Sequence, residues 1–417
     1  MNACALRNII VGAGIALSAL LAGCSSRGLD NLMTGNPSSR HVWQKPGDRI
    51  SIPFEWHDGH LMIPVRVNGS ADLRFAFDTG AAATVVFETE RTQSLGLDIE
   101  QSIRIGEDAG FQGTLVDIVN DATISLDGIR LTGMTILHVA LANSHLFGSL
   151  DEAYFDGAIG YDLLRRFVTE IDYVNRTITF SRARESRAFD PPWQTLPIDV
   201  SGRVPVITAQ LRGEGSSQES VGLILDSGAP FYLYLNPDLT EGVGIPLRHS
   251  LMRGKGFYGP IERITGRVAK FSIGRFAFDD QVTYFDRADF KDLPKAIGLI
   301  GNGVLRNFDL VLDYSAREVS MRPIAGFDTG SVADRSGINL LPHRSGAYAQ
   351  SVVAGSPADG VGLRSGDVVT HLDGERIERS SFDALKERLS SDREAVDICW
   401  RSAAGEVCER LPLSDRL

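Results

Sequence analysis

A short motif occurs twice in this chain of 417 residues, and its duplication constrains the fold more than any other feature. Phe77-Asp78-Thr79-Gly80-Ala81 recurs as Leu225-Asp226-Ser227-Gly228-Ala229, and each copy ends a run of apolar residues. One such triplet by itself predicts only a turn. Two copies, each opening a similar stretch of chain, predict a duplicated lobe that brings two carboxylates to one site.

The chain that follows each motif is also repeated. Residues 160–180 align without gaps with residues 301–321 at an offset of 141. Upstream, Gly110-Phe111-Gln112-Gly113 is similar to Gly256-Phe257-Tyr258-Gly259 at an offset of 146, and the two aspartates are 148 residues apart. The matching segments occur in the same order in both copies, and their offset changes only from 141 to 148 residues. This pattern indicates duplication of a lobe, followed by small changes in loop length.

Each copy is predicted to consist mostly of strands, because short apolar runs rich in β-branched and aromatic residues alternate with turn residues. The predicted elements are strands at 73–77, 84–87, 221–225 and 231–235, hairpins at 169–180 and 310–321, and short helices at 88–95 and 161–166. Pro191-Pro192 predicts the boundary between the lobes, since it can neither continue a strand ladder nor lie within a helix.

Together these motifs resemble the pepsin–retropepsin class of aspartic proteases over residues 47–325. In that class each lobe has a hydrophobic–Asp–Thr/Ser–Gly motif and, further on, two apolar residues and a Gly, here Ala158-Ile159-Gly160 and Leu299-Ile300-Gly301. The Ala after each triplet and the small lobes are more similar to retropepsins. The resemblance implies a mainly β fold, with two retropepsin-like β-barrel lobes related by pseudo-twofold symmetry. It also implies peptide-bond hydrolysis without a metal, a cofactor or a covalent intermediate.

The chemistry of such a site explains its residue types. Two carboxylates a few Å apart do not both ionise readily, so Asp78 and Asp226 are expected to share one proton. One of them then takes a proton from water while the other polarises the scissile carbonyl. Glycine permits a sharp turn beside them, and a hydroxyl can hydrogen-bond to the backbone of the other lobe. The supporting residues predicted for the two loops are Thr79, Gly80, Ser227 and Gly228.

Two Gly-rich segments have two interpretations. As flaps, they would close over an extended peptide and exclude water. As ordinary hairpin tips, they would simply pack their aromatic side chains on the protein. The candidate flap residues are Gly110, Phe111, Gly113, Gly256, Phe257 and Tyr258.

Two further motifs are interpreted as turns. Asp328-Thr329-Gly330 is a third copy of the triplet, but the preceding residues 322–326 do not form a buried-strand pattern, and no apolar–apolar–Gly element follows. His57-Asp58-Gly59-His60 has no further ligand at metal spacing and is typical of a solvated hairpin. We therefore predict no metal site.

From about residue 334 to residue 417 the pattern resembles a bacterial PDZ domain. The resemblance depends on Ser356-Pro357-Ala358 followed by Gly362-Leu363-Arg364-Ser365-Gly366-Asp367. A helix after Ser381 is predicted to place Phe382, Leu385 and Leu389 on one face. PDZ domains bind a peptide as an added strand opposite such a helix, and a C-terminal peptide ligand is therefore expected; a structural or self-docking role is the alternative. The residues implied for the groove are Gly337, Ile338, Asn339, Leu340, Phe382 and Leu385.

The N-terminal residues predict a targeting signal. Arg7 precedes an apolar run at 9–21 that is short for a membrane span, and Leu21-Ala22-Gly23-Cys24 resembles a bacterial lipoprotein signal. The resemblance implies cleavage before Cys24, lipidation of its thiol, and a periplasm-facing membrane anchor, with Ser25 compatible with sorting to the outer membrane. An ordinary secretory signal with a chance Cys is the alternative.

Cys399 and Cys408 flank a predicted hairpin tip. A two-residue loop at Ala403-Ala404 would place them opposite each other, whereas a three-residue loop with Gly405 would shift the register by one. An oxidising periplasm would permit a disulfide there. The formal net charge of -11 argues against a nucleic-acid partner.

The predicted organisation has six parts: a signal peptide at 1–23, a tether at 24–46, lobes at 47–190 and 191–325, a linker at 326–333 and a PDZ domain at 334–417. The predicted function is a lipid-anchored periplasmic aspartic endopeptidase whose PDZ domain recruits substrate or gates its access. Two alternatives remain. One is a non-catalytic peptide-binding scaffold, since Pro230 stands where the class more often has a small hydroxyl residue. The other is a precursor that requires processing of residues 25–46.

Overall fold

A computed structural model describes residues 27–105, 114–140, 153–182, 190–240, 242–255, 260–286 and 295–417, with short strand segments at 5–6, 10–11 and 14–15. Strands dominate these ranges, so the predicted mainly β fold class is confirmed. The helices are α1 (Arg27–Met33), α2 (Tyr161–Leu164), α3 (Asn302–Leu305), α4 (Pro357–Gly360) and α5 (Phe382–Leu389).

The strands fall into three groups along the chain. Those up to Ser181 are β1 (Ala5–Leu6), β2 (Ile10–Val11), β3 (Gly14–Ile15), β4 (Arg40–Trp43), β5 (Arg49–Pro53), β6 (Glu55–His57), β7 (His60–Val67), β8 (Leu73–Phe77), β9 (Val85–Phe87), β10 (Asp98–Ile105), β11 (Thr114–Leu126), β12 (Ile129–Val139), β13 (Gly157–Ile159), β14 (Val168–Asp172) and β15 (Thr177–Ser181). The next group is β16 (Gln194–Asp199), β17 (Val206–Arg212), β18 (Glu219–Leu225), β19 (Leu233–Leu235), β20 (Ser250–Lys255), β21 (Pro260–Ile273), β22 (Phe276–Phe285), β23 (Gly298–Ile300), β24 (Phe308–Asp313) and β25 (Glu318–Pro323). The C-terminal group is β26 (Ile338–His343), β27 (Gly346–Val352), β28 (Val368–Leu372), β29 (Glu375–Arg376), β30 (Ala395–Ser402) and β31 (Gly405–Pro412).

The sequence repeat becomes a repeat of sheet topology. The first lobe has the strand order β10-β11-β12-β9-β13-β8-β7, and the second has the matching order β20-β21-β22-β19-β23-β18-β17. In each lobe a buried three-residue strand, β13 or β23, runs parallel to the strand that ends at the Asp motif and antiparallel to the strand after the motif. The two Asp motifs therefore occupy equivalent places in two copies of one structure.

A sheet shared by the two lobes joins these copies. Its strand order is β16-β25-β24-β14-β15-β5, and β14 of the first lobe pairs with β24 of the second. The register aligns Thr169 with Leu312 and Ile171 with Leu310. Because the equivalent hairpins lie side by side at the centre of this sheet, the pseudo-twofold axis passes between β14 and β24. One apolar core runs through both lobes.

The predicted tether is instead largely folded onto the first lobe. Leu29 and Leu32 of α1 are buried, and β4 pairs with β12. Asn36 fixes the segment further, because its side chain exchanges hydrogen bonds of 2.9 and 2.8 Å with the backbone of Thr135. The polar composition of the segment concealed these few buried contacts.

The helix predicted at 88–95 is wrong, since these residues form turns. The N–H of Thr89 donates to the Thr92 hydroxyl at 2.7 Å, and that hydroxyl donates to the carbonyl of Phe87 at 2.6 Å. Such bonds between side chain and backbone compete with helical hydrogen bonds. The helix predicted at 161–166 is present as α2.

The C-terminal residues form a separate sheet with the order β26-β27-β28-β30-β31 and a core of their own. Helix α5 starts where the sequence predicts, and Phe382, Leu385 and Leu389 are its buried residues. Ser402 pairs with Gly405, so the tip of the last hairpin is the two-residue loop. Cys399 and Cys408 therefore lie opposite each other and form a disulfide.

Among the described residues, no helix is both long enough and apolar enough to span a membrane.

Candidate active site

The two aspartates lie at the ends of equivalent strands. Asp78 follows β8 and Asp226 follows β18. Both residues are buried, with exposed fractions of 0% and 1%. The N–H of Asp78 donates to the carbonyl of Ile159 at 3.0 Å, and that of Asp226 donates to Ile300 at 2.9 Å. The duplicated fold thus gives both carboxyl groups the same backbone frame.

The hydroxyl residues next to the aspartates connect the two lobes. Thr79 Oγ1 donates to the carbonyl of Leu225 at 2.6 Å, and Ser227 Oγ donates to the carbonyl of Phe77 at 2.8 Å. Each hydroxyl also accepts the backbone N–H of the other residue, at 2.9 and 3.0 Å. All four bonds are buried, so they fix the Asp78 loop (residues 78–82) against the Asp226 loop (residues 226–230).

The glycines of the motifs leave room for the opposite carboxyl group. A Cβ at Gly228 would lie 2.3 Å from Cγ of Asp78, and one at Gly80 would lie 2.7 Å from Cγ of Asp226. Each glycine N–H also donates to Oδ1 of the aspartate in its own loop at 2.8 Å. Any side chain at these positions would push the carboxyl groups apart.

Burial and mutual contact set the charge of the pair. Burial raises the pKa of Asp78 to about 6, while hydrogen bonds from Asp226 and from the Gly80 N–H act to lower it. Burial raises the pKa of Asp226 well above its usual range, and the charge of Asp78 raises it further. Each carboxyl group shifts the pKa of the other, and the pKa of Asp226 is raised well above its usual range, which favours Asp226 as the member that holds the proton. The arrangement therefore provides one acid and one base at adjacent positions.

Sequence reasoning missed a second layer of the site around Asn302. Its Nδ2 donates to the carbonyl of Ser227 at 2.6 Å, and its Oδ1 accepts the hydroxyl of Tyr173 at 2.8 Å. Burial, and then the charge of Asp226, raise the pKa of Tyr173, so this hydroxyl stays protonated. The repeat places Tyr161 at the position of Asn302 in the first lobe, and this departure from the repeat is the signal that could have identified it.

The 57–60 turn is a hairpin, as predicted, but it is not solvated. It joins β6 to β7, and His57, Asp58 and His60 are 4%, 5% and 4% exposed. The C-terminal domain and the Asp226 loop cover it, which no local pattern reveals. Within the described ranges, no group of three His, Cys, Asp or Glu side chains could hold a metal ion.

The third triplet, at 328–330, is exposed and lies outside the strands and helices, with a turn that is closed by the Asp328 side chain. The N–H of Gly330 donates to Oδ1 of Asp328 at 2.8 Å, which is the same local bond that both buried motifs make. The triplet is thus a local turn motif, and only the partner lobe turns it into a site. All the candidate flap residues, at 110–113 and 256–258, lie outside the described residues, as does Cys24.

Residues 337–340, which the resemblance to PDZ domains implies as the loop that holds the carboxylate of a C-terminal peptide, already contact a carboxylate of the chain itself. The N–H of Gly337 donates to Oδ2 of Asp334 at 2.6 Å, and that of Ile338 donates to Oγ of Ser336 at 3.2 Å. Ile338, Asn339 and Leu340 belong to β26 rather than to a free loop. A peptide carboxylate would therefore have to displace the Asp334 side chain from the Gly337 N–H and the Ser336 hydroxyl from the Ile338 N–H.

Comparisons with known proteins match the two parts of the chain separately. A family model described as aspartyl protease matches residues 63–163, and one described as PDZ domain matches residues 336–395. Among solved structures, an aspartic proteinase from Irpex lacteus is similar, with 13% identity and a TM-score of 0.42, over 68% of this chain and 99% of that chain. No curated protein matches the chain by sequence.

Proposed function

We propose that this chain, which carries an aspartyl protease domain at 63–163 and a PDZ domain at 336–395, is an aspartic endopeptidase that uses Asp78 and Asp226. The observation that carries the proposal is the pair of buried carboxyl groups from the two lobes, each of which lies against the motif glycine of the other lobe. Peptide or protein chains are the proposed substrates, because the two domain types imply peptide substrates and peptide ligands.

The proposed mechanism assigns different roles to two nearly equivalent groups. Asp78, the ionised member, accepts a proton from a water molecule that attacks the scissile carbonyl. Asp226, the protonated member, donates to the oxygen of that carbonyl and stabilises the developing charge. The N–H groups of Gly80 and Gly228 hold one oxygen of each carboxyl group, which leaves the other oxygen for this chemistry.

Asparagine substitutions test the proposal. Asp78→Asn and Asp226→Asn each keep an oxygen for the glycine N–H but cannot exchange a proton, so peptide cleavage should fall by about 10²–10⁴-fold. The measurement is mass-spectrometric detection of cleaved termini in a peptide library. Asp328→Asn, in the exposed triplet, is the matched control and should cleave like the wild type.

Unchanged cleavage by either active-site variant would reject the shared-proton mechanism. A wild-type protein that cleaves nothing, yet is stabilised against heat by library peptides, would instead favour the non-catalytic scaffold. A pepstatin-type inhibitor gives a second measurement, since it should raise the melting temperature of the wild type and lose this effect in both variants.

We also propose that the enzyme is lipid-anchored through Cys24 and faces the periplasm. The lipoprotein-like signal supports this location, and only Ser25 and Ser26 separate Cys24 from α1. Because α1 and β4 pack on the first lobe, such an anchor would hold that lobe near the membrane surface. The PDZ domain would then recruit substrates or gate their access.

A further inference from the structure

The 57–60 turn lies between the PDZ domain and the Asp226 loop. Its central residues, Asp58 and Gly59, have φ values of 48° and 74°, which suit a two-residue hairpin turn. The turn belongs to the first lobe, but it contacts the Asp226 loop, which the second lobe contributes to the candidate active site. Three parts of the chain that are distant in sequence therefore meet at these two residues.

On the PDZ side, helix α5 contacts Asp58 through two side chains. Lys386 Nζ lies 2.7 Å from Oδ1 of Asp58, and the Asp58 N–H donates to Oδ2 of Asp383 at 3.2 Å. The Asp58 side chain is 6% exposed, and it also accepts the hydroxyl of Tyr154 at 3.3 Å. A buried carboxylate is costly without a partner charge, so the position of this turn depends on the docked helix.

A second contact holds the PDZ domain against the other lobe. Arg416 Nη2 donates to Oγ of Ser250 at 2.5 Å, and Arg248 pairs with Asp415 at 3.2 Å. The domain thus touches both lobes, and its orientation relative to the 57–60 turn is fixed at two sites.

On the active-site side, Gly59 contacts the Asp226 loop in two ways. Its carbonyl accepts Nδ2 of Asn302 at 2.8 Å, and the same nitrogen donates to the carbonyl of Ser227. Its α-carbon packs on Pro230, since a Cβ at Gly59 would lie 2.5 Å from Cβ of that proline. This packing gives Pro230, which departs from the family pattern, a structural role.

We propose that the docked PDZ domain positions the Asp226 loop, with Lys386, Asp58 and Asn302 as positioning residues. Helix α5 holds the 57–60 turn, the turn holds Asn302 and Pro230, and these residues hold the backbone next to Asp226. The link acts on one side of the pseudo-twofold axis, because the equivalent of Asn302 in the first lobe is Tyr161. Its effect on turnover rests on the proposed function, whereas its effect on the order of the Asp226 loop does not.

The test uses the full-length protein with Lys386→Met. This change removes the charge that pairs with Asp58 but leaves the buried residues Phe382, Leu385 and Leu389 of α5 in place. Hydrogen exchange of the Ser227 and Gly228 amides should accelerate by roughly fivefold or more. kcat should fall with KM unchanged, since the loop, rather than substrate binding, is affected.

Two further variants make this test specific. Lys386→Arg keeps the charge and should restore both exchange protection and kcat. Lys45→Met is the matched control, because the side chain of Lys45 is 45% exposed, as is that of Lys386. Lys45 pairs with Asp127 at 2.6 Å, and both members of this ion pair are exposed. It should change neither measurement.

Asn302→Asp tests the other end of the link, because it replaces the N–H donor by an oxygen that faces two carbonyl groups. In a chain that already carries Asn302→Asp, Lys386→Met should add little further exchange at the two amides, because the path from Lys386 to the Asp226 loop is already broken at Asn302. Additive effects, or normal exchange protection in Lys386→Met, would overturn the proposal. Altered exchange in a chain that cleaves no peptide would retain the positioning role and reject the proposed function alone.

Discussion

At the scale of single residues, the active site depends on groups that are separated by little more than contact distance. Gly80 and Gly228 face the opposite carboxyl groups, and both carboxyl groups are buried. This burial favours the protonated form of both Asp78 and Asp226.

The rate of hydrolysis should fall as the pH drops below about 6. Asp78 must be ionised to accept a proton from water, and burial raises its pKa to about 6. Below that value the ionised fraction, and with it kcat/KM, decreases roughly tenfold per pH unit. Initial rates between pH 4 and pH 8 measure this limb, and a limb centred near the ordinary Asp value of 3.8 would contradict it.

Gly228→Ala should lower kcat by about 10²-fold, because displacement of a reacting group by about 1 Å has effects of this size. The new Cβ would lie 2.3 Å from Cγ of Asp78, so the two carboxyl groups must separate. Gly330→Ala is the matched control, with its nearest atom 3.2 Å away. Equal kcat values for the two variants in the peptide assay would show that carboxyl contact is not needed.

At the scale of elements, the strands and loops of the two lobes are joined by the hydroxyl groups of Thr79 and Ser227. Each motif follows a strand that ends in the core. The Thr79 hydroxyl donates to the carbonyl of Leu225, the last residue of β18, and the Ser227 hydroxyl donates to that of Phe77, the last residue of β8. Lobe contact and active-site geometry therefore depend on the same bonds.

Thr79→Val should lower the free energy of unfolding by about 2–4 kcal/mol, because it removes two buried hydrogen bonds and leaves a carbonyl and an N–H without partners. Valine keeps the shape of threonine, so packing changes little. Urea unfolding measures the loss, and Thr329→Val in the exposed triplet is the control. A loss equal to that of the control would mean that these bonds do not stabilise the lobe contact.

At the scale of the whole molecule, duplication places two half-sites in one chain, and the PDZ domain packs on both lobes. The shared sheet keeps the lobes in register through the pairing of β14 with β24. The N-terminal segment packs on the first lobe rather than hanging free, so membrane attachment would also constrain the orientation of the enzyme.

The proposed lipid anchor predicts a specific mature N-terminus. We expect mass spectrometry of the protein from bacterial membranes to find a chain that begins at Cys24 with acyl groups on that residue, since several acyl chains are needed for stable anchoring. Cys24→Ala should abolish acylation, while Cys399→Ala should not. A mature chain with an unmodified thiol at Cys24 would instead support the ordinary secretory signal.

The strands that flank each Asp motif, the two hairpins of the shared sheet and the two candidate aspartates could be predicted from the sequence, because each depends on a local pattern that occurs twice. An apolar run followed by Asp-Thr-Gly or Asp-Ser-Gly specifies a buried strand and a tight turn wherever it stands. Helix α5 was equally predictable, since a serine pair and the spacing of Phe382, Leu385 and Leu389 mark its start and its buried face.

Which turns belong to the candidate active site depends on tertiary packing. The same bond between a glycine N–H and an aspartate side chain forms at Asp328 as at Asp78 and Asp226, but only the latter two are buried against a second lobe. The 57–60 turn has the pattern of a solvated hairpin, yet it contacts Asn302 across 243 residues and Lys386 across 328. Contacts at such separations form because packing brings distant surfaces together, and local sequence patterns carry no record of which surfaces will meet.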